Sequence, residues 1–576
     1  MRRRRHAGLR TVLSVLLPSV VAAGLVLPSP ARAQFTALTR NPLGDNGSAF
    51  GTAWGDYDGD GDPDLYVSND GPNLLMRNNG GGDFADATAP PLGDVGNGGS
   101  VAWGDYDNDG DLDLFLANFN SSDRLFRNDG AAGFADATAP PLDDAGPGQG
   151  AAWADYDRDG DLDLYLVRYG VPNRLYRNDG AAGFIDVATG ALADPGWGVA
   201  AAWGDYDGDG DPDLYVTNDG ANRLLRNDGG GVFTKITGLA IEDSGAGQGS
   251  AWGDYDNDGD LDLYLANYGT RNKLIRNDGG GLFTALIAGP LGDTGNGTGV
   301  AWGDYDNDGD LDLYLANYGT ENALLRNDGG DVFASLTADP LGDSRNGTGV
   351  AWADFDLDGD LDLYLANDGA SNVLMRNDLA TGAHWLHLDL RGVISNRAAI
   401  GARVRVVAGG VSRIREVSGG GGYFSQDSPT VEFGLGSAAI VDSLFVTWPS
   451  GMVEGYVDVA PDQRLTIVEG SVVAVGDGPA PSPSLRFELA APAPNPADGG
   501  SRFGFAIPRS GRVRLALYDV RGRLAETLIE GTLPAGLHHV AWKRTSSGRR
   551  RLAAGFYLAR LESGGQVRTR KFVLLP

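Results

Sequence analysis

The phrase Asp-Tyr-Asp-Asn-Asp-Gly-Asp-Leu-Asp-Leu-Tyr-Leu stands at Asp254–Leu265 and again, unchanged, at Asp304–Leu315. It stands at Asp105–Leu116 with Phe115 in place of the tyrosine, and near-copies begin at Asp56, Asp155, Asp205 and Asp354. A tryptophan precedes each copy: Trp54, Trp103, Trp153, Trp203, Trp252, Trp302 and Trp352, in steps of 49 or 50 residues. A fixed period of that length belongs to a solenoid, a propeller or an array of tandem domains.

The content of one period narrows the choice. In the sixth, Gly297–Tyr305 reads as a strand, followed by the Asp-rich loop and the alternating strand Leu311–Asn317. Ala323–Asn327 is a third strand, Asp-Gly-Gly a tight turn, and Val332–Thr337 a fourth strand. Four short antiparallel strands per period predict propeller blades. The ends predict a closed ring of seven. The seventh repeat has its third strand but lacks the usual fourth. Residues 34–45, ahead of the first tryptophan, have the pattern of a fourth strand and exit loop (compare Gln34–Asp45 with Leu282–Asp293). Residues 34–45 are thus expected to complete the last blade of a propeller spanning 34–383, leaving no open sheet edge.

The loop itself is D-x-D-x-D-G-D-x-D. It comprises Asp56, Asp58, Asp60, Asp62 and Asp64 in the first repeat, and Asp105, Asp107, Asp109, Asp111 and Asp113 in the second. The third has Asp155, Asp157, Asp159, Asp161 and Asp163; the fourth has Asp205, Asp207, Asp209, Asp211 and Asp213. Then come Asp254, Asp256, Asp258, Asp260 and Asp262; Asp304, Asp306, Asp308, Asp310 and Asp312; and Asp354, Asp356, Asp358, Asp360 and Asp362. Alternate carboxylates turned to one centre, with glycine at position 6 for the bend, form the front half of an EF-hand loop. The twelfth residue of an EF-hand is a bidentate Glu; here it is Val67, Leu116, Val216 or another Val or Leu, and a strand follows instead of a helix. The aspartate at position 9 returns to the centre instead. Crowded carboxylates raise one another's pKa unless a cation joins them, and an oxygen-only ligand set favours Ca²⁺, about one per blade. Position 7 is expected to offer its carbonyl, its carboxylate lying outside.

These repeats resemble FG-GAP/VCBS repeats, which build the seven-bladed propeller of integrin α subunits. The resemblance implies calcium held between the first and second strands, with positions 1, 3, 5 and 9 as side-chain ligands. From His384 to Glu469 the repeat stops. Segments such as "SNRAAIGARV", "GGYFSQ", "FGLG" and "WPSG" are similar to an ASPIC/UnbV domain, which commonly follows such propellers in proteins similar to cartilage acidic protein. Residues 470–484 read as a Pro/Gly/Ser linker. Residues 485–576 resemble FlgD Ig-like and C-terminal sorting domains, which implies a β-sandwich. The expected fold class is all-β throughout: seven-bladed propeller, β-rich ASPIC/UnbV domain, Ig-like sandwich.

Charge separates these parts. Residues 485–576 hold sixteen basic and six acidic side chains, while residues 34–484 hold 24 and 71. So acidic a body does not suit nucleic acid, whose phosphates need a cationic surface. The basic C-terminal part suits attachment to a cell surface or use as a sorting signal. Residues 1–33 read as a signal peptide: Arg2–Arg5 and Arg10, an apolar run, then Ala31-Arg32-Ala33. Bacterial-type export with cleavage near Ala33, to the medium or the cell surface, is the expectation. The chain has no cysteine, so its stabilisation must come from something other than disulfides.

Enzyme chemistry finds little footing. Residues 34–383 contain no His, no Cys, two Lys and two Glu, which excludes Ser-His-Asp and Cys-His sites there. His384 and His387 read as an edge pair on a strand. Arg77, Arg127, Arg177, Arg226, Arg276, Arg326 and Arg376 recur before Asn and read as structural, pairing with loop carboxylates or carbonyls. Phe119, Tyr169, Tyr268 and Tyr318, after the second strands, and Trp197, before a first strand, fall on the face opposite the Asp loops. There they can stack on a sugar or a protein. The expected function is an exported, calcium-binding adhesion or recognition module for a protein or glycan, without catalysis. The alternative is a carbohydrate-active enzyme or pathway protein with its site at the propeller–ASPIC junction.

Overall fold

The structure is a computed structural model; it describes residues 35–471 apart from 144, 239 and 380, and all but short stretches of 488–575. The signal segment, the cleavage point and most of the linker lie outside the described residues. Among the described residues there are seven four-stranded antiparallel sheets of one pattern, each with its strands in chain order except the last. In the last, Phe35–Leu38 lies beside Val373–Asn377, with Phe35 opposite Asn377 and Leu38 opposite Leu374. The first strand of each sheet packs on the first strand of the next, and Gly347–Ala353 packs back on Ala49–Gly55, so the circle closes.

Two repeated side chains join the blades. Each tryptophan indole donates to a carbonyl one blade back: Trp103 Nε1 to Ala53 O at 3.2 Å, and Trp54 Nε1 to Ala351 O at 3.3 Å across the closure. Each Asn of the Arg-Asn pair also reaches back. Asn128 Nδ2 donates to Tyr57 O at 2.8 Å, and Asn78 Nδ2 to Phe355 O at 2.8 Å. Both groups are buried, so each bond satisfies a donor that would otherwise be costly in the core. This explains why residues with no propensity argument of their own recur every 50 positions.

The second domain has a three-stranded sheet (Val431–Gly436, His384–Arg391, Gln463–Val468) and a four-stranded one (Val411–Glu416, Arg403–Ala408, Val441–Thr447, Val453–Val459). Val404, Val406, Phe433, Leu444 and Trp448 lie in their common core. The domain sits on the Asp-loop face of the propeller. Arg464 Nη1 donates to Gly61 O at 2.9 Å, Arg403 Nη2 to Gly259 O at 2.5 Å, and Arg413 Nε to Gly309 O at 2.8 Å. Its glycine-rich segment, residues 418–428, enters the central channel as a plug. There Gln426 O accepts Trp54 N–H at 3.2 Å, Gly419 O accepts Trp153 N–H at 2.8 Å, and Asp427 Oδ1 accepts Trp352 N–H at 2.8 Å. Neither the docking nor the plug was an expectation of the sequence.

The C-terminal part contains a three-stranded sheet (Glu488–Leu489, Gly500–Ile507, Gly536–Lys543) and a four-stranded one (Leu524–Leu533, Gly511–Asp519, Gly555–Ser563, Gln566–Leu574). Phe503, Phe505, Leu515, Leu561 and Phe572 from both sheets share one core, which makes it a β-sandwich.

Candidate metal loops and the exposed aromatic face

The Asp loop is built from its own backbone. In the first blade, Asp56 Oδ1 and Oδ2 accept the N–H groups of Asp60 and Gly61 at 3.1 and 3.0 Å. Asp64, first residue of the second strand, accepts Tyr57 N–H at 3.2 Å and Asn78 N–H at 2.8 Å. Position 6 is glycine because φ there is about +94 to +104° (Gly61 97°, Gly110 104°, Gly359 94°). Position 4 also takes a left-handed turn, with Asn108 at 60°, Arg158 at 63° and Leu357 at 60°.

Positions 1, 3 and 9 converge. Asp56, Asp58 and Asp64 bring oxygens within 4.8 Å of one another, as do Asp105, Asp107 and Asp113, and the same positions of the next three blades. Position 5 is drawn elsewhere with one oxygen: Asp60 Oδ1 accepts Asp62 N–H at 3.0 Å, and Asp308 Oδ1 accepts Asp310 N–H at 2.9 Å. Position 7 faces the preceding blade. Asn108 Nδ2 donates to Asp161 Oδ1 at 2.9 Å, Asn257 Nδ2 to Asp310 Oδ1 at 2.7 Å, and Arg158 Nη1 to Asp211 Oδ1 at 3.4 Å. Its carboxylate thus serves as a contact between loops.

The residues present fit a cation. Buried carboxylate oxygens left without a hydrogen-bond partner include those of Asp254, Asp304, Asp157, Asp306, Asp356 and Asp312, all at positions 1, 3 or 9. Burial, reinforced by the neighbouring carboxylates, pushes Asp64 up to about 8 and Asp113, Asp163, Asp213 and Asp262 up to about 9. Burial also raises position 1, to about 7 in Asp105 and Asp155, where loop N–H groups oppose it, and to about 6 in Asp205 and Asp254, where Arg403 and Arg415 oppose it together with the loop N–H groups. Carboxyls this reluctant to ionise unaided form a site that a hard divalent cation would complete.

The recurrent arginines pair with loop carboxylates, mainly the aspartate just past the end of their strand (Arg127 Nε–Asp129 Oδ1 at 2.8 Å, Arg376 Nη2–Asp378 Oδ1 at 2.8 Å), and Arg77 Nη1 lies 3.8 Å from Asp58 Oδ2 of the first Asp loop. One expectation needs correction. His384 and His387 are no edge pair. His384 Nδ1 meets Asp462 Oδ2 at 2.8 Å, whereas His387 is buried with Nδ1 3.3 Å from Asp354 Oδ2 of the seventh loop. A register shift beside His384 separates the two environments.

On the opposite face, Phe119 and Tyr169 lie edge to face at 6.4 Å, and Tyr169 stacks on Trp197 at 5.9 Å and 18°. Tyr268 and Tyr318 form a second pair at 6.4 Å, and Tyr318 Oη donates to Asp368 Oδ2 at 2.7 Å. Trp197 is 55% exposed, Tyr268 43% and Tyr169 37%. The equivalent position in the first, fourth and seventh blades is Asp70, Asp219 or Asp368. The plug adds Tyr423, whose hydroxyl is held protonated by burial and by the nearby Asp368.

A family model described as FG-GAP-like repeat matches residues 56–116, 105–166, 158–216, 205–265, 254–315 and 304–365. A second, ASPIC and UnbV, matches 392–474. No curated protein matches the chain. Among solved structures, an Agrocybe aegerita lectin described as recognising non-reducing terminal N-acetylglucosamine is 21% identical, covering 54% of this chain and 81% of its own, with a TM-score of 0.37. The BP39L lectin from Burkholderia pseudomallei is 15% identical over 57% and 96%, with a TM-score of 0.43. YCF48 bound to D1 peptide is 12% identical over 61% and 99%, with a TM-score of 0.41. With its repeats covering more than half its length, the chain belongs to the FG-GAP-like repeat family and carries an ASPIC/UnbV domain behind them.

Proposed function

We propose that this chain is an exported recognition module, stabilised by about one calcium ion per blade, that binds a glycan or protein partner on the face away from the metal loops. The observation that carries this reading is the exposed Phe119–Tyr169–Trp197 strip. Stacked aromatics left in water on an otherwise acidic body cost solvation and suit a ligand with flat apolar faces. The ASPIC/UnbV domain caps the loop face, so the loops support the scaffold instead of meeting the ligand. The basic C-terminal sandwich would serve attachment or sorting at the cell surface, and residues 1–33 would direct export.

A glycan array and a pull-down with the calcium-loaded chain test the reading. Parent protein should be retained by a defined set of glycans or by one protein, and Trp197→Ala should lose that retention with its melting temperature unchanged. Retention that survives both Trp197→Ala and Tyr169→Ala would place recognition elsewhere. Release of a cleaved product would favour the alternative, a carbohydrate-active enzyme at the propeller–ASPIC junction.

A further inference from the structure

The plug treats the seven blades unequally. It binds the backbone N–H of Trp54, Trp103, Trp153 and Trp352, with Gln426 Oε1 accepting from Trp103 at 2.7 Å. Among the described residues it makes no such bond to Trp203, Trp252 or Trp302. Trp54, Trp103, Trp153 and Trp352 are at most 1% exposed, whereas Trp203 and Trp252 are only partly buried. The space beside them is a cavity of about 220 Å³ between the channel wall and the cap.

Its wall carries polar atoms that the protein leaves unsatisfied. Ser250 Oγ is fully buried and has no partner, and neither has Glu432 Oε1 or Arg415 Nη2. Ser250 stands where five other blades have Val or Ala (Val101, Ala151, Ala201, Val300 and Val350) and only the first has a hydroxyl, Thr52, so the fold does not need one there. Buried polar atoms without partners are uncommon unless something fills the space between them. A bare cation would face the like charge of Arg415, which Asp304 and Asp254 already accompany, and an anion would face those carboxylates and Glu432. A molecule whose groups both donate and accept satisfies all of them, and the indole edges of Trp203 and Trp252 suit its apolar parts. The volume equals about seven waters at ~30 Å³ each, which is room for one sugar ring.

We propose that this cavity binds a polyhydroxylated molecule of monosaccharide size, held by Ser250, Glu432 and Arg415 beside Trp203 and Trp252. The site is separate from the exposed aromatic face and buried by the cap, so its ligand is enclosed by the two domains together.

The test titrates the full calcium-loaded chain with glucose, galactose, mannose and N-acetylglucosamine while following tryptophan emission and calorimetric heat. At least one sugar should give a saturable change. Ser250→Val and Glu432→Gln should each weaken it about tenfold, the value of one lost hydrogen bond of ~1.4 kcal/mol. Both variants should melt with the parent when no sugar is present. Trp197→Ala, which breaks the exposed strip, should bind the sugar as the parent does. No response to any of the four sugars, or undiminished binding by Ser250→Val, overturns the proposal and leaves a cavity filled by water.

Discussion

Asp312 has two tasks that a single substitution separates. Its Oδ1 accepts Asn327 N–H at 2.8 Å and so ties the second strand to the third, while Oδ2 is buried without a partner. Asp312→Asn keeps an acceptor for Asn327 and removes the charge. The expected result is one calcium fewer per chain by elemental analysis and a smaller rise in melting temperature on adding calcium. Under chelation at neutral pH the variant should be at least as stable as the parent, since burial no longer opposes ionisation there. Asp310→Asn is the control: Asp310 Oδ1 accepts from Asn257 Nδ2, so the substitution should leave calcium stoichiometry intact and weaken only the contact between loops. The repeat made all five aspartates of each loop visible in the sequence. It set position 7 aside but did not tell position 5 from the converging three, because that depends on where backbone N–H groups point once positions 4 and 6 turn left-handed. The varied occupants of position 4 (Gly, Asn, Arg, Leu) carried the only hint of contact between loops.

Strand pairing follows the sequence closely, because a period of 50 residues repeats every turn and every alternation seven times. The N-terminal strand tests how much the closure contributes. Phe35 is 8% exposed and packs on Tyr305 and Trp352 at 6.0 and 6.5 Å. Phe35→Ala should cost about 3 kcal/mol in a denaturant titration. Deleting residues 35–45 should expose the edge of Val373–Asn377 and drive association, readable by light scattering. The plug was illegible for a physical reason: a run of glycines has no periodicity, and its conformation is set by the channel it enters. At Gly419 a side chain would run into Trp153 O, and at Gly51 into Phe424 O. Gly419→Val should therefore unseat the plug while the blades remain folded. Limited proteolysis should then cut within 418–428, a segment that should resist in the parent; equal protection in both would show that the plug does not depend on that close approach.

At the scale of the molecule, charge and cation are linked. Residues 34–484 carry 71 acidic against 24 basic side chains, and 35 of the acids stand in the seven loops. Seven divalent cations would bring fourteen positive charges to the crowded ring. Without them the loop carboxyls favour the protonated form, the position 9 aspartates up to about 8 or 9 and several at position 1 up to about 6 or 7. An unfolded aspartate ionises near ~3.9. Between these values the folded, metal-free chain binds more protons than the unfolded one, so its stability falls as pH rises from about 4 towards 9. A cation bound only by the folded chain reverses this: it needs the ionised carboxylates, and it adds about 2.7 kcal/mol for each site at a hundredfold excess over its dissociation constant. Melts in a chelator should therefore decline steadily across that pH range, while melts in calcium should stay level or rise, the two curves converging in acid. Parallel curves would mean that the loops do not couple cation binding to folding, and the stability of this cysteine-free chain would then rest on the tryptophan and asparagine bonds between its blades.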